Sequence, residues 1–341
     1  MKKIATLLFI IIPFTIVQAQ NTFEPLGTST YHLLDRYEIL GGKNNLGYFT
    51  SCKPISKSTI GGLSLSSFAS NSSLSNTDKE NLKWMLCDNS ECVAEVLNGM
   101  QSKKPILKNF YVLKADLFSH NSNDFLIKIN PIINFQIGKE KNDTSGRHFI
   151  NTRGIELRGN INQKVGFYLM IGENQMRQPV YVQNEIKKLQ AVPGEGYYKE
   201  FKGNGVDFLS TTGYINFTAA KYINFTFGNG KNFIGDGYRS LLLSDNASAY
   251  PFLRLTTSAW KFQYTNMWAQ MFDAKEKSQL GEGFRKKYIA LHYLSTLIGR
   301  RIEIGLFEAV IWQAQDSVTY RGFDAQYLNP IIFYHSVQWD F

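Results

Sequence analysis

Asp124-Phe-Leu-Ile-Lys-Ile-Asn-Pro-Ile-Ile-Asn-Phe-Gln-Ile-Gly138 sets Phe125, Ile127, Ile129, Pro131, Ile133, Phe135 and Ile137 on odd positions. Lys128, Asn130, Asn134 and Gln136 stand between them. Successive side chains of a strand point to opposite faces, so this segment reads as one long strand with a wholly apolar face. The same grammar returns in Gln163 to Asn174, Lys221 to Gly228, Lys286 to Leu294 and Arg301 to Val310. About ten such segments follow Phe110, joined by turn-rich links such as Gly138 to Gly146 and Gly159-Asn160.

A soluble β-sandwich also alternates, so three further features decide between the two. The segments run to about 9 to 15 residues, the length of a tilted strand crossing a bilayer, against five or six in soluble sheets. The polar face is rich in Gly, Asn, Thr and Lys, as a wet lumen is. Aromatic residues crowd the strand ends, as in Tyr197-Tyr198, Trp260 with Phe262 and Tyr264, and Trp268 with Phe272, which suits an interfacial girdle. A transmembrane antiparallel β-barrel over residues 109–341 is the expectation, and closure also removes exposed sheet edges. Outer-membrane lipid and the barrel assembly machinery are its expected partners.

Upstream, residues 20–108 are written in helices and loops. Tyr31 to Leu40 has apolar residues at 33, 34, 37 and 40, one helical face that stops at Gly41-Gly42. A second helix is expected near Asn76, where Thr77 and Glu80 have capping-box spacing and Leu82, Met85 and Leu86 share a side. The Ser- and Gly-rich stretch from Ser56 to Ser75 reads as a loop. At the N-terminus, Lys2 and Lys3, the apolar run Ile4 to Val17 and then Val17-Gln18-Ala19 form a cleavable signal peptide over residues 1–19. The run is too short for a spanning helix, and no later apolar stretch reaches the ~20 residues one needs. Export to the cell outer membrane follows, which makes nucleic acid a poor partner.

The net charge of +9 falls to +7 once Lys2 and Lys3 leave, a mild excess that suits acidic polysaccharide or lipopolysaccharide phosphate. Of three cysteines, Cys87 and Cys92 are close enough for a local disulfide and Cys52 is left over. No metal or other cofactor is expected.

The most unusual sequence is Gly228 to Phe252, where Gly228, Gly230, Gly235 and Gly237 allow tight bends. Lys231, Asp236, Tyr238, Arg239, Asp245, Asn246 and Tyr250 make this loop the candidate contact for a sugar polymer, with Tyr238 or Tyr250 offering a ring face. It is neither a Walker loop nor a dinucleotide fingerprint. The competing interpretation is a bracing loop whose Arg239 pairs with an acid. Ser240 lacks the glycines of a nucleophile elbow, and Glu303 and Glu308 differ in strand parity, so no catalytic residues are assigned. Trp260, Trp268, Trp312 and Trp339 suit a lipid-interface belt or stacking on sugar rings.

Three stretches together resemble a known family. Tyr31-His-Leu-Leu-Asp-Arg-Tyr-Glu-Ile-Leu40 with Lys53-Pro54-Ile55-Ser56, the loop Gly235 to Ala247, and Tyr327-Leu-Asn-Pro-Ile-Ile-Phe-Tyr334 are similar to the capsule-assembly Wzi-like outer-membrane proteins, most closely the gliding-motility (RemB-like) branch. The resemblance implies a barrel of about eighteen strands, plugged at its periplasmic end by the N-terminal helices. It also implies a non-enzymatic role in binding surface polysaccharide, capsule or exopolysaccharide, or in motility. This chain supplies about ten strands and stops at Val337-Gln-Trp-Asp-Phe341, so a shortened, incomplete barrel is expected. A porin-like channel, a barrel hydrolase using Ser240 and a motility adhesin are the alternatives.

Overall fold

A computed structural model describes residues 22–41, 49–70, 74–91, 101–141, 146–220, 222–277, 283–299, 301–315 and 322–333. The leader, Cys92 and Trp339 lie outside the described residues; Cys87 carries a free thiol.

The N-terminal part holds α1 (Thr30–Gly41), β1 (Cys52–Lys53), α2 (Lys57–Ser70) and α3 (Asn76–Asp88). The Ser-rich stretch expected as a loop is therefore largely a helix. Ser56 accepts the Thr59 amide at its start, and Ile60 and Leu63 are buried against Tyr31, Leu34, Leu82 and Met85. This apolar contact outweighs the weak helix propensity of Ser and Gly. The cap of α3 is Ser75, whose hydroxyl accepts the Asp78 amide at 3.1 Å, and not the Thr77–Glu80 box.

The rest is mainly β. Its strands are β2 (Phe118–Asn121), β3 (Phe125–Gly138), β4 (His148–Ile161), β5 (Val165–Arg177), β6 (Lys199–Phe201), β7 (Gly205–Ala220) and β8 (Ile223–Gly230). Then follow β9 (Phe233–Ile234), β10 (Tyr250–Ala259), β11 (Phe262–Lys277), β12 (Phe284–Ile298) and β13 (Ile302–Gln313). Ten of them form one antiparallel meander in the order β13-β12-β11-β10-β8-β7-β5-β4-β3-β2, and β6 pairs with β7. Among the described residues β2 and β13 do not pair, so the sheet is open. A helix that the sequence reading missed, α4 (Val180–Leu189), follows β5 and buries Ile186 with Met176, Val192 and Val206.

Gly159-Asn160, expected as a turn, lies inside β4. A Cβ on Gly159 would meet the Leu126 carbonyl and the Phe167 ring, so this glycine permits close strand approach. The chain reverses one step later, at Asn162 and Gln163 with φ of 49° and 54°, the left-handed pair of a tight hairpin.

Register assigns the faces. The row Ile127–Gly159–Phe167–Ile215–Phe227–Leu253–Trp268–Ala290–Val310 crosses the sheet on one face. The neighbouring row Lys128–Arg158–Tyr168–Tyr214–Gly228 belongs to the other. The first face is apolar and largely uncovered: Phe227 is 60% exposed, Ile133 79% and Phe135 66%. Toward β13 it is covered by Gly322–Phe333, where the Trp268 and Trp312 indoles donate to the Tyr327 and Gly322 carbonyls. Those two tryptophans are buried there, whereas Trp260 stands free in a turn.

The second face holds the N-terminal module. Lys128 bonds Glu91, Arg158 bonds Asp88, Tyr214 accepts the Phe23 amide, Cys52 meets Thr265, and Ser51 meets both Tyr293 and Glu303. One small module thus touches strands from β3 to β13, because the sheet curls around it. Glu308 on β13 faces the opposite side from Glu303 and accepts the Phe333 amide.

At the heart of that contact is a buried ion network. Lys57 lies 2.9 Å from Glu24 and 2.6 Å from Asp88, and Lys128 lies 2.6 Å from Glu91 and 2.9 Å from Asp116. Arg158 reaches Asp88 at 3.2 Å, Glu91 at 3.3 Å, Asp116 at 3.6 Å and Glu156 at 3.1 Å. Burial opposes the Lys57 charge, yet Asp88, Glu24 and Glu91 outweigh it and its pKa lies above the ordinary lysine value. Burial pushes Glu91 up, but Arg158, Lys128 and Lys57 prevail and hold it at about 2. Asp88 lies well below the usual carboxylate range by the same balance, with Lys57 and Arg158 overcoming burial.

Candidate functional site

The strand β9 is only two residues long, yet it decides where the Gly-rich loop goes. It pairs with β1, Cys52 with Ile234 and Lys53 with Phe233, and the Gly235 amide donates to Ser51 O at 2.8 Å. Ile234 and Leu243 then exchange backbone hydrogen bonds at 3.0 and 3.3 Å, pinching off residues 235–242 as a projecting loop. Gly235 enters it with φ +136°, and Ser240 closes it by donating to the Ile234 carbonyl and accepting the Leu242 amide. The hydroxyl that a hydrolase reading requires as a nucleophile is thus engaged in loop structure.

Between this loop and α1 lies a cleft of about 850 Å³, of the size usual for small-ligand sites. Asp236, Tyr238, Arg239 and Asp245 form one wall; His32, Asp35 and Glu38 of α1 form the other. Lys53 lines the cleft, its ammonium 5.3 Å from the Tyr31 ring centre and 5.2 Å from that of Phe233, an arrangement that favours the cation. Arg239 lies over the Tyr238 ring at 5.2 Å, and Tyr238 is 83% exposed. Burial and the Glu24 charge raise the Tyr31 pKa, so the phenol stays neutral and its hydroxyl donates to Glu24 O. Carboxylates, cations and an exposed ring alternate around the opening, a lining that can offer donors and acceptors to a hydroxyl-rich ligand.

Of the seven loop residues expected to contact ligand, four meet in this cleft. Lys231 and Asn246 lie elsewhere, around the Gly194–Glu195 turn: Lys231 donates to Gly194 O at 2.6 Å and pairs with Glu195 at 3.2 Å. Tyr250 offers no ring face. It is 1% exposed, packed with Ile234 and Phe252, and its hydroxyl accepts the Asn232 amide, because the strand parity of β10 turns it inward. Lys53, Arg301 and the α1 acids were not anticipated. The spacing 32, 35 and 38 on a helix whose buried side carries Leu34 and Tyr37 was their available signal.

Replacing Gly235 by Ala puts a Cβ against Ser240 in a backbone conformation that L residues rarely adopt. The expected outcome is loosening of the loop by about 1–3 kcal/mol, read as faster proteolytic cleavage within residues 236–242 while the sheet remains intact.

The fold therefore defines a mainly β chain with an open antiparallel sheet curled around a small helical module. Comparison with protein-family models, with curated proteins and with solved structures returned no match.

Proposed function

We propose that this chain is an outer-membrane protein of the barrel type that binds or organises surface polysaccharide without catalysing a reaction. The observation that carries the membrane reading is the inverted distribution of polarity. Charged side chains are buried between the sheet and the helical module, while apolar side chains from β3 to β8, Ile133, Ile155, Leu169, Ile215 and Phe227 among them, face outward uncovered. In water that exposed surface would be costly; against lipid it is favourable.

Aromatic clusters at the two ends of β11 add support. Trp260 and Phe262 lie at one end, and at the other Phe272 meets Tyr197, which stacks on Phe284. The ten steps from Phe262 to Phe272 span ~33 Å along the strand, or ~25 Å of height at a ~40° tilt, which matches the apolar band of such proteins. In this reading the N-terminal module plugs the interior, and the Tyr238 cleft meets glycan. The resemblance to capsule-assembly and gliding-motility proteins supports the same role in capsule or exopolysaccharide attachment, or in motility.

The test is fractionation of cells making the chain, followed by electrophoresis with and without heating. Recovery in the outer membrane with a heat-modifiable band is expected, and binding of capsular or exopolysaccharide polymer follows, weakened by Tyr238→Ala. A water-soluble product without need of detergent overturns the membrane reading. A plugged interior further implies no conductance in planar bilayers, and a steady open channel that tracks Lys231 or Arg239 would favour a porin instead.

A further inference from the structure

A second cavity, about 500 Å³, lies on the inner face of the sheet beneath Phe23–Thr28. Its polar groups are already organised. Thr152 donates to Asn174 at 2.7 Å, Asn174 donates to Ser210 at 2.9 Å, Ser210 donates to Glu195 at 2.7 Å, and Glu195 pairs with Lys231. This rail crosses three strands. Further along the same strands, toward Arg254, Tyr168 and Tyr214 stack with ring centres 5.2 Å apart, and both line the cavity. Hydroxyls, an amide and flat rings along one wall are the groups that hold successive pyranoses of a glycan: the rail meets hydroxyls and the rings meet a C–H face.

The charges discriminate further. Each carboxylate lining the cavity already has a cation: Glu24 has Lys57, Glu156 has Arg158, and Glu195 has Lys231. Among the described residues Arg254 is the lining cation without a carboxylate partner. It is 4% exposed, donates to Asn232 at 2.9 Å and lies 4.6 Å over the Phe23 ring. Its Nε makes no hydrogen bond. A buried guanidinium without an anion is costly unless a ligand supplies one, and its planar edge suits a carboxylate.

From these groups we infer that the inner cavity binds a glycan segment that includes a sugar residue bearing a carboxylate, with Arg254 on the acid group and the Thr152–Asn174–Ser210 rail, further along the strands, on hydroxyls of other residues of the same glycan. The inference rests on the polysaccharide reading above and adds a site separate from the Tyr238 cleft, with a preference for acidic sugar.

The test is calorimetric titration of the detergent-solubilised full chain with D-glucuronate and with its neutral isostere D-glucuronamide. The expected result is binding of the acid, about tenfold or more weaker binding of the amide, and loss of that difference in Arg254→Met. Removing an unpaired buried charge for an apolar side chain is compatible with folding, and Arg254→Lys retains part of the preference. The comparison of acid and amide on the unaltered chain stands even if a variant fails to fold. Equal binding of the two, or no binding of either while long polymer still binds, overturns the cavity site and leaves the surface role standing. Failure of both polymer and monosaccharide to bind the unaltered chain overturns both.

Discussion

Arg158→Leu is expected to release the N-terminal module from the sheet. The substitution removes the cation shared by Asp88, Glu91, Asp116 and Glu156, and leaves Lys57 and Lys128 against five carboxylates, Glu24 included. Breaking one partner out of a buried network costs about 3–5 kcal/mol, because the remaining charges stay desolvated and uncompensated. Protease sensitivity of the segment 57–91 would rise while the strands stay protected. Undiminished protection in Arg158→Leu would show that the network contributes nothing to docking. The pH dependence has a definite sign. Glu91 is held at about 2 and Asp88 below its ordinary value, against ~4 in the unfolded chain. Folded values that are depressed give stability that is fully present above ~4 and disappears as pH falls toward ~2. Docking should therefore be unchanged between pH 7 and 5 and weaken progressively below ~4, as followed by tryptophan fluorescence of Trp84.

Phe227→Lys should abolish stable membrane assembly. Phe227 lies in the apolar row, between Ile215 and Leu253 across the sheet, and is 60% exposed. A lysine near the bilayer midplane of a barrel costs about 2–4 kcal/mol, whereas at a water-exposed surface such a change stays within ~0.5 kcal/mol. The same substitution therefore separates the two environments. Loss of the heat-modifiable band is expected. A variant as stable as the parent would place that face in water. Asn224→Lys, on the opposite parity of the same strand, is the matched control and should be mild.

The strands were legible because period-two alternation is a local signal: Phe125–Gly138 was read to within a residue, and Val165–Arg177 and Ile302–Gln313 to within a few. What failed depended on neighbours distant in the chain. Nothing local in Lys57–Ser70 announces a helix, since Ile60 and Leu63 gain their partners only when α1 and α3 pack on them. Gly159 looked like a turn residue because a glycine that admits a ring and a glycine that reverses the chain are identical in one dimension. By contrast α4 was readable: Pro179 precedes it, Lys187 and Lys188 close it, and Gln190 ends it in the left-handed conformation. Four of the loop residues line one cleft because Gly235 and Gly237 mark a projection. Strand parity explains Tyr250, but parity cannot show that Arg254 would lack a carboxylate among the described residues, since that depends on which acids other strands bring near.

The pairing of β1 with β9, residue 52 with residue 234, also constrains the order of assembly. The segment synthesised first must wait for partners some 180 residues later, and its contacts with β11, β12 and β13 come later still. Contacts so distant along the chain slow folding, because loop closure must precede the reward. The helices therefore cannot form a finished unit onto which strands are added. They acquire their final arrangement only as the last hairpins close, so Cys52 and Lys53 wait without their strand partners until the sheet is nearly complete.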